Sequence, residues 1–171
     1  MVLPADDSQR EAIRDEVSRI HESAVYSAQG HFEAAKVWRY VHWGLGALAA
    51  ALSTAAAVIT FASDMQVLSG VIAILAAITA AIVTGSRPDK LAERAQSSGN
   101  DYTTLRNDAR RLRDIAVPSD PVLELRDALA ELSGRASELD HAGDVIPRWA
   151  YKRAKRNIES DGGQRFEVDG S

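Results

Sequence analysis

Hydrophobic and polar positions alternate in two different ways along this chain. From Val41 to Ser86 the sequence reads VHWGLGALAAALSTAAAVITFASDMQVLSGVIAILAAITAAIVTGS, and Asp64 is its one formal charge. Asp64 separates two uncharged runs of about 22 residues, each about 33 Å long as a helix, against a bilayer hydrocarbon core of about 30 Å. A core helix of a soluble bundle keeps one face for water and shows charges every turn. Neither run does, and nothing else in the chain is apolar enough to wrap two helices all round. The pattern predicts two membrane-spanning helices, 41–63 and 67–86, joined by a very short turn at Asp64. A cleaved signal peptide does not fit, because a long polar segment precedes the first run and a second run follows at once.

Outside this stretch the pattern is amphipathic. Ile13, Val17, Ile20, Ala24, Ser27, His31, Phe32, Ala35, Trp38 and His42 recur at steps near three and four. They predict one long helix within residues 1–40 that runs directly into the first span, after a frayed start and a capping box formed by Ser8 and Glu11. Trp38, Tyr40 and Trp43 stand where an interfacial aromatic belt stands. Residues 88–160 predict a helical bundle. Pro88 restarts the chain, and Leu91, Ala95, Ser98, Tyr102, Leu105, Ala109, Leu112 and Ala116 follow in alternating steps of four and three. Gly99 weakens that helix by about 1 kcal/mol relative to alanine and is expected to mark a bend. A break spans Val117 to Pro121, with Asp120 as N-cap and Pro121 at the first helical position. Val122, Leu125, Leu129, Leu132, Ala136 and Leu139 then form a helix expected to fold back antiparallel. A final short helix has Trp149, Tyr151, Ala154 and Ile158 as its apolar face, and 161–171 is expected to be a disordered tail. The fold class is therefore all-α: a two-helix transmembrane hairpin with long cytoplasmic helices forming a coiled-coil-like bundle, packed along Tyr102, Leu105, Leu112, Leu125, Leu129 and Leu132.

Within the apolar runs the residues are unusually small. Ser69, Ala73, Ala77, Ala81 and Gly85 stand at a strict four-residue step, as do Gly46 and Ala50, and Ala47, Ala51 and Ala55. Small residues at this spacing let helix backbones approach closely when lipid offers no hydrophobic incentive to associate. A hairpin uses only one such face internally, so the second suits a homo-oligomer; alanine as mere filler is the plainer reading. No ionisable side chain lies deep in either run, which disfavours a coupled transporter.

Composition narrows the function. The 171 residues carry a net charge of −4, which argues against nucleic acid as a partner, and no cysteine, so no thiolate nucleophile, disulfide or cysteine metal site exists. Lys36 and Arg39 precede the first span and Arg87, Lys90 and Arg94 follow the second, so both termini are expected on the cytoplasmic side of the inner (plasma) membrane. Charge also segregates downstream. Residues 120–144 hold seven acids against Arg126 and Arg135, whereas Arg148, Lys152, Arg153, Lys155 and Arg156 crowd the last helix. Attraction between the two helices, or a solvated face, is the plainer reading of this basic patch. Contact with an anionic lipid surface or ligand is the sharper one.

No phosphate-binding loop, dinucleotide fingerprint, zincin motif or nucleophile elbow is present, and His21, His31, His42 and His141 show no metal-ligand pairing. No catalytic residue, cofactor or metal is expected. The order of several short motifs resembles the SLATT domain family: Tyr26-Ser27-Ala28-Gln29-Gly30-His31-Phe32, Ala34-Ala35, Arg39 and His42 before the apolar stretch; Pro88-x-Lys90-x-Ala92-Glu93 and Tyr102-Thr103-Thr104-Leu105-Arg106 after it; then Ile146-Pro147-Arg148-Trp149-Ala150-Tyr151. The resemblance covers residues from about Glu11 to Ile158. It implies a prokaryotic two-transmembrane effector of conflict systems that perforates or depolarises the membrane during phage infection, triggered by a signalling nucleotide or a separately encoded sensor protein. The alternative function is a passive membrane anchor that recruits a cytoplasmic partner through Leu105, Leu112, Leu125 and Leu132.

Overall fold

A computed structural model describes residues 5–62 and 65–160. Met1 to Pro4, Asp64 in the expected turn and the expected tail 161–171 lie outside the described residues. Among the described residues there is no strand. The elements are α1 (Ala5–Ala62), α2 (Gln66–Ser86), α3 (Pro88–Arg111), a π-helical segment (Leu112–Ala116), α4 (Val117–Ser119), α5 (Val122–Ala142) and α6 (Arg148–Glu159).

Helix α1 is continuous over 58 residues. It begins one turn earlier than the expected capping box, so Ser8 and Glu11 lie inside it, and Asp6 and Asp7 occupy the first turn, where carboxylates offset the exposed N–H groups. The break after α2 falls on Arg87, in the left-handed region at φ 46° and ψ 55°, with its N–H donating to the Val83 carbonyl at 3.1 Å. Pro88 is the cause: its ring disfavours the α region for the residue before it.

The second break differs from expectation. Helical structure persists through Ser119, and the Val117 N–H reaches back five residues to the Leu112 carbonyl. Pro118 has no N–H and its ring crowds the carbonyl four residues earlier, and a widened turn just before it relieves both. The chain is extended at Asp120 and at Pro121, which flanks α5 as its cap residue. The Asp120 carboxylate accepts from the Ser119 hydroxyl at 2.8 Å, and no side chain caps α5.

The described residues divide into two compact units, those up to 34 together with those from 95 on, and those within 35–94. In the first unit α3 runs antiparallel to α1. The Arg10 guanidinium donates to the Val117 carbonyl at 2.7 Å at one end, and Phe32 lies against Gly99 toward the other. Helix α5 runs antiparallel to α3, joined by Tyr102 to Asp140 at 2.7 Å and by Arg135 to Asp108 at 2.7 Å. Ile13, Val17, Ala24 and Ala28 of α1 share one core with Tyr102, Leu105, Ala109, Leu112, Val117, Leu125 and Leu132.

Two local expectations are corrected here. Gly99 does not interrupt α3; a Cβ there would stand 2.7 Å from Cε1 of Phe32, so the glycine makes room for a ring. On α6 the buried residues are Ala150 and Ala154, both 0% exposed, whereas Trp149 and Tyr151 are 39% and 48% exposed. Two alanines one turn apart let the helix backbone lie close to its neighbour, which the aromatic residues would prevent.

In the second unit the protected positions form one stripe per helix. From Leu45 on, those of α1 are Leu45, Ala49, Leu52, Ala56 and Ile59, and those of α2 are Ser69, Ile72, Ala76, Thr79 and Val83. Both sets alternate steps of three and four.

Candidate functional site

Two helices are long and apolar enough to cross a membrane, and the structure leaves them almost bare. Only 6% of the apolar window of the first and 11% of that of the second is buried. A core helix of a soluble protein would be mostly buried. Val58, Phe61, Val67, Val71, Ile74, Leu75, Ile78 and Ile82 all stand exposed. Removing that surface from water is worth about 25 cal/mol per Å², so it demands an apolar covering.

At about 100° per residue, α2 has three sectors. Its protected stripe holds Ser69, Ile72, Ala76, Thr79 and Val83; a second sector holds the large residues Val71, Leu75, Ile78 and Ile82; a third holds Ala73, Ala77 and Ala81. Of the strict four-residue set, Ser69 is buried at 7%, and Ala73, Ala77, Ala81 and Gly85 are exposed. Gly46 and Ala50 of α1 are exposed as well, and a Cβ built on Gly46 or Gly85 meets nothing within 4 Å. Apart from Ser69, the four-residue stripe is therefore left exposed by the chain. The hydroxyls here are satisfied locally: Thr54, Thr60, Thr79, Thr84 and Ser86 each donate to the carbonyl four residues earlier at 2.7–3.0 Å, and Ser69 to that of Gln66 at 2.9 Å. Such bonding makes hydroxyls tolerable in hydrocarbon.

The seam residues of the helical unit come together. Tyr102, Leu105, Leu112, Leu125 and Leu132 are buried in one core, and Leu129 packs against it. They are consumed inside the chain, so a partner cannot reach them without unfolding the core.

A polar cluster that the sequence did not announce closes one end of that core. The His31 and Tyr102 rings stack 5.5 Å apart, the Tyr102 hydroxyl donates to Asp140 at 2.7 Å, and a Cβ on Gly143 would stand 3.8 Å from that hydroxyl and 3.9 Å from His31 Nε2. Burial pushes the Tyr102 phenol up, and the hydrogen bond to Asp140 adds to it. Burial holds His31 below its ordinary pKa against the opposing pull of Asp144. The signal available in the sequence was the presence of His31 and Tyr102 on two apolar stripes; their stacking needed the register of α1 against α3.

Between α1 and α6 lies an open groove of about 580 Å³ lined by Arg19, Glu22, Ser23, Tyr26, Ser27, Ile146, Tyr151, Lys155 and Glu159. The Tyr26 and Tyr151 rings stack 6.3 Å apart, and Ile146 fills the place of a Gly30 side chain. Two bases and two acids share the groove, which favours no single ligand charge. The basic residues Arg148, Lys152, Arg153, Lys155 and Arg156 are all exposed; Arg153 lies 5.8 Å over the Trp149 ring, and Lys155 pairs with Glu159 at 3.8 Å. Among the described residues, none of the five forms an ion pair with an acid of α5. No group of three His, Asp or Glu among the described residues could hold a metal. No family model, no curated protein and no solved structure matches this chain.

Proposed function

We propose that this chain is a helical membrane effector: α2 and the apolar end of α1 form a transmembrane hairpin, and copies of the hairpin assemble into a pore or leak. The observation that carries the reading is the pair of long apolar helices left unburied by their own chain. The small sector of Ala73, Ala77 and Ala81 faces outward, beside a sector of large lipid-compatible residues. In a bilayer, van der Waals packing of small residues drives association, which suits the small sector to a neighbouring copy. The resemblance to the SLATT domain family points the same way and supplies the biological setting, defence against phage ending in cell death or dormancy. A signalling nucleotide or a separate sensor protein acts as the trigger. Both termini face the cytoplasm in this reading.

Inducible expression in a bacterium with a voltage-sensitive dye tests it. The native chain depolarises the membrane, and Ala77→Leu, which inserts a bulky side chain into the small sector, blunts the response. An unchanged potential, with the protein verified in the membrane, contradicts it. The anchor alternative loses the interface first considered for it, because Leu105, Leu112, Leu125 and Leu132 lie in the chain's own core.

A further inference from the structure

Most charges of α5 and α6 are sorted by sign and left open by the fold; Arg135, about 40° from Glu131 on α5, is taken up by Asp108 at 2.7 Å. On α5, Glu124, Asp127, Glu131 and Glu138 are exposed and stand at steps of three, four and seven, within a sector of about 60° on the side away from Leu125 and Leu132. On α6, Arg148, Lys152, Lys155 and Arg156 are exposed within a sector of about 100° opposite Ala150 and Ala154. Among the described residues the four acids pair with no base, and Arg148, Lys152 and Arg156 pair with no acid; Lys155 reaches only Glu159 of its own helix.

We propose that the basic face of α6 docks on the acidic face of α5 in a second copy of this chain. The inference rests on the assembly reading above and names a contact for it outside the apolar helices. Like faces repel, so two copies cannot meet acid to acid or base to base. The remaining match puts four cations against four carboxylates. Each copy carries one face of each sign, so the contact is either made twice across a two-fold axis or repeated head to tail, closing into a ring where the rotation allows. Single exposed ion pairs are weak and screened by salt. A row of them acts together once copies are held in one membrane, where effective concentration is high.

The test uses the full chain in a zwitterionic detergent, with mass measured by light scattering at about 50 mM and about 500 mM salt. Four variants accompany it: E124K/D127K/E131K/E138K, R148E/K152E/K155E/R156E, the two sets combined, and Ala77→Leu. Circular dichroism checks that each keeps the helix content of the native chain. The expected result is a native oligomer weakened by salt, an oligomer fraction reduced about tenfold by either reversal alone, and its recovery when both are combined. Reversals that leave the mass unchanged overturn the contact, as does a combined variant that stays dissociated. If the mass survives both reversals but falls with Ala77→Leu, the hairpin alone assembles the copies and the proposed function stands without this contact. A native chain that is monomeric at both salt concentrations removes both.

Discussion

Gly99 illustrates how one residue type carries two opposite meanings. Propensity reads it as a weak point, whereas the fold uses its missing side chain to seat Phe32, whose Cε1 and Cδ1 would lie 2.7 and 2.8 Å from an added Cβ. Gly99→Ala gains about 1 kcal/mol of helix propensity and loses about 1–3 kcal/mol to overpacking. The expected net effect is a lower melting temperature for the full chain in detergent, recovered by adding Phe32→Leu; a higher melting temperature for the single variant would contradict the packing argument. Histidine gives a second test at this scale. Burial holds both His31 and His21 below 6.5, aided at His21 by Arg113 and Arg106. Just below that pH the unfolded chain binds more protons at these rings than the folded one does. Their contribution to stability is therefore complete above about 6.5 and is lost as pH falls below it. Asp114, held low chiefly by its hydrogen bond from Arg113, adds its loss only under the ordinary carboxylate range. Melting followed from about pH 7.5 to about pH 5 should show falling stability with a slope reduced in His31→Phe, and an unchanged slope in that variant would exclude His31 as a source.

At the scale of elements, periodicity is a good guide to which helices exist and to the buried faces of α1, α3 and α5, and a poor guide to the face of α2. The α1 stripe and the Leu105 to Leu132 seam were legible because large apolar residues at steps of three and four have one sensible destination. In α2 nearly every residue is apolar, so no contrast marks a face, and the four-residue run of small residues stood out over the seven-residue run that the chain protects. On α6 the sequence pattern places Ala154 on the buried face but sets Trp149 and Tyr151 beside it in place of Ala150, although close approach selects small side chains. The two helix breaks were legible from Pro88 and Pro121, but the π-helical segment was not, because its cause, Pro118, acts on the turn before it. Arg87 supplies the prediction proper to this scale. A non-glycine residue in the left-handed region costs about 1 kcal/mol. Arg87→Gly should raise the melting temperature and Arg87→Val, with its branched Cβ, should lower it; the opposite order would mean that the side chain rather than the backbone fixes this turn.

For the molecule as a whole, the central contrast is between helices that bury their apolar residues and helices that leave them bare. The seam of α3 and α5 is satisfied within the chain, whereas the apolar runs of α1 and α2 are only 6% and 11% buried. The proposed function turns on where neighbouring hairpins touch: the small sector of α2, not its large one. The chain has no cysteine, so a single introduced thiol reports on that contact without interference. Oxidative cross-linking of Ala77→Cys in native membranes, beside Leu75→Cys about 160° away on the same helix, measures it directly. The account predicts a covalent dimer from Ala77→Cys and little from Leu75→Cys; equal cross-linking at both positions, or cross-linking at Leu75→Cys alone, would contradict it.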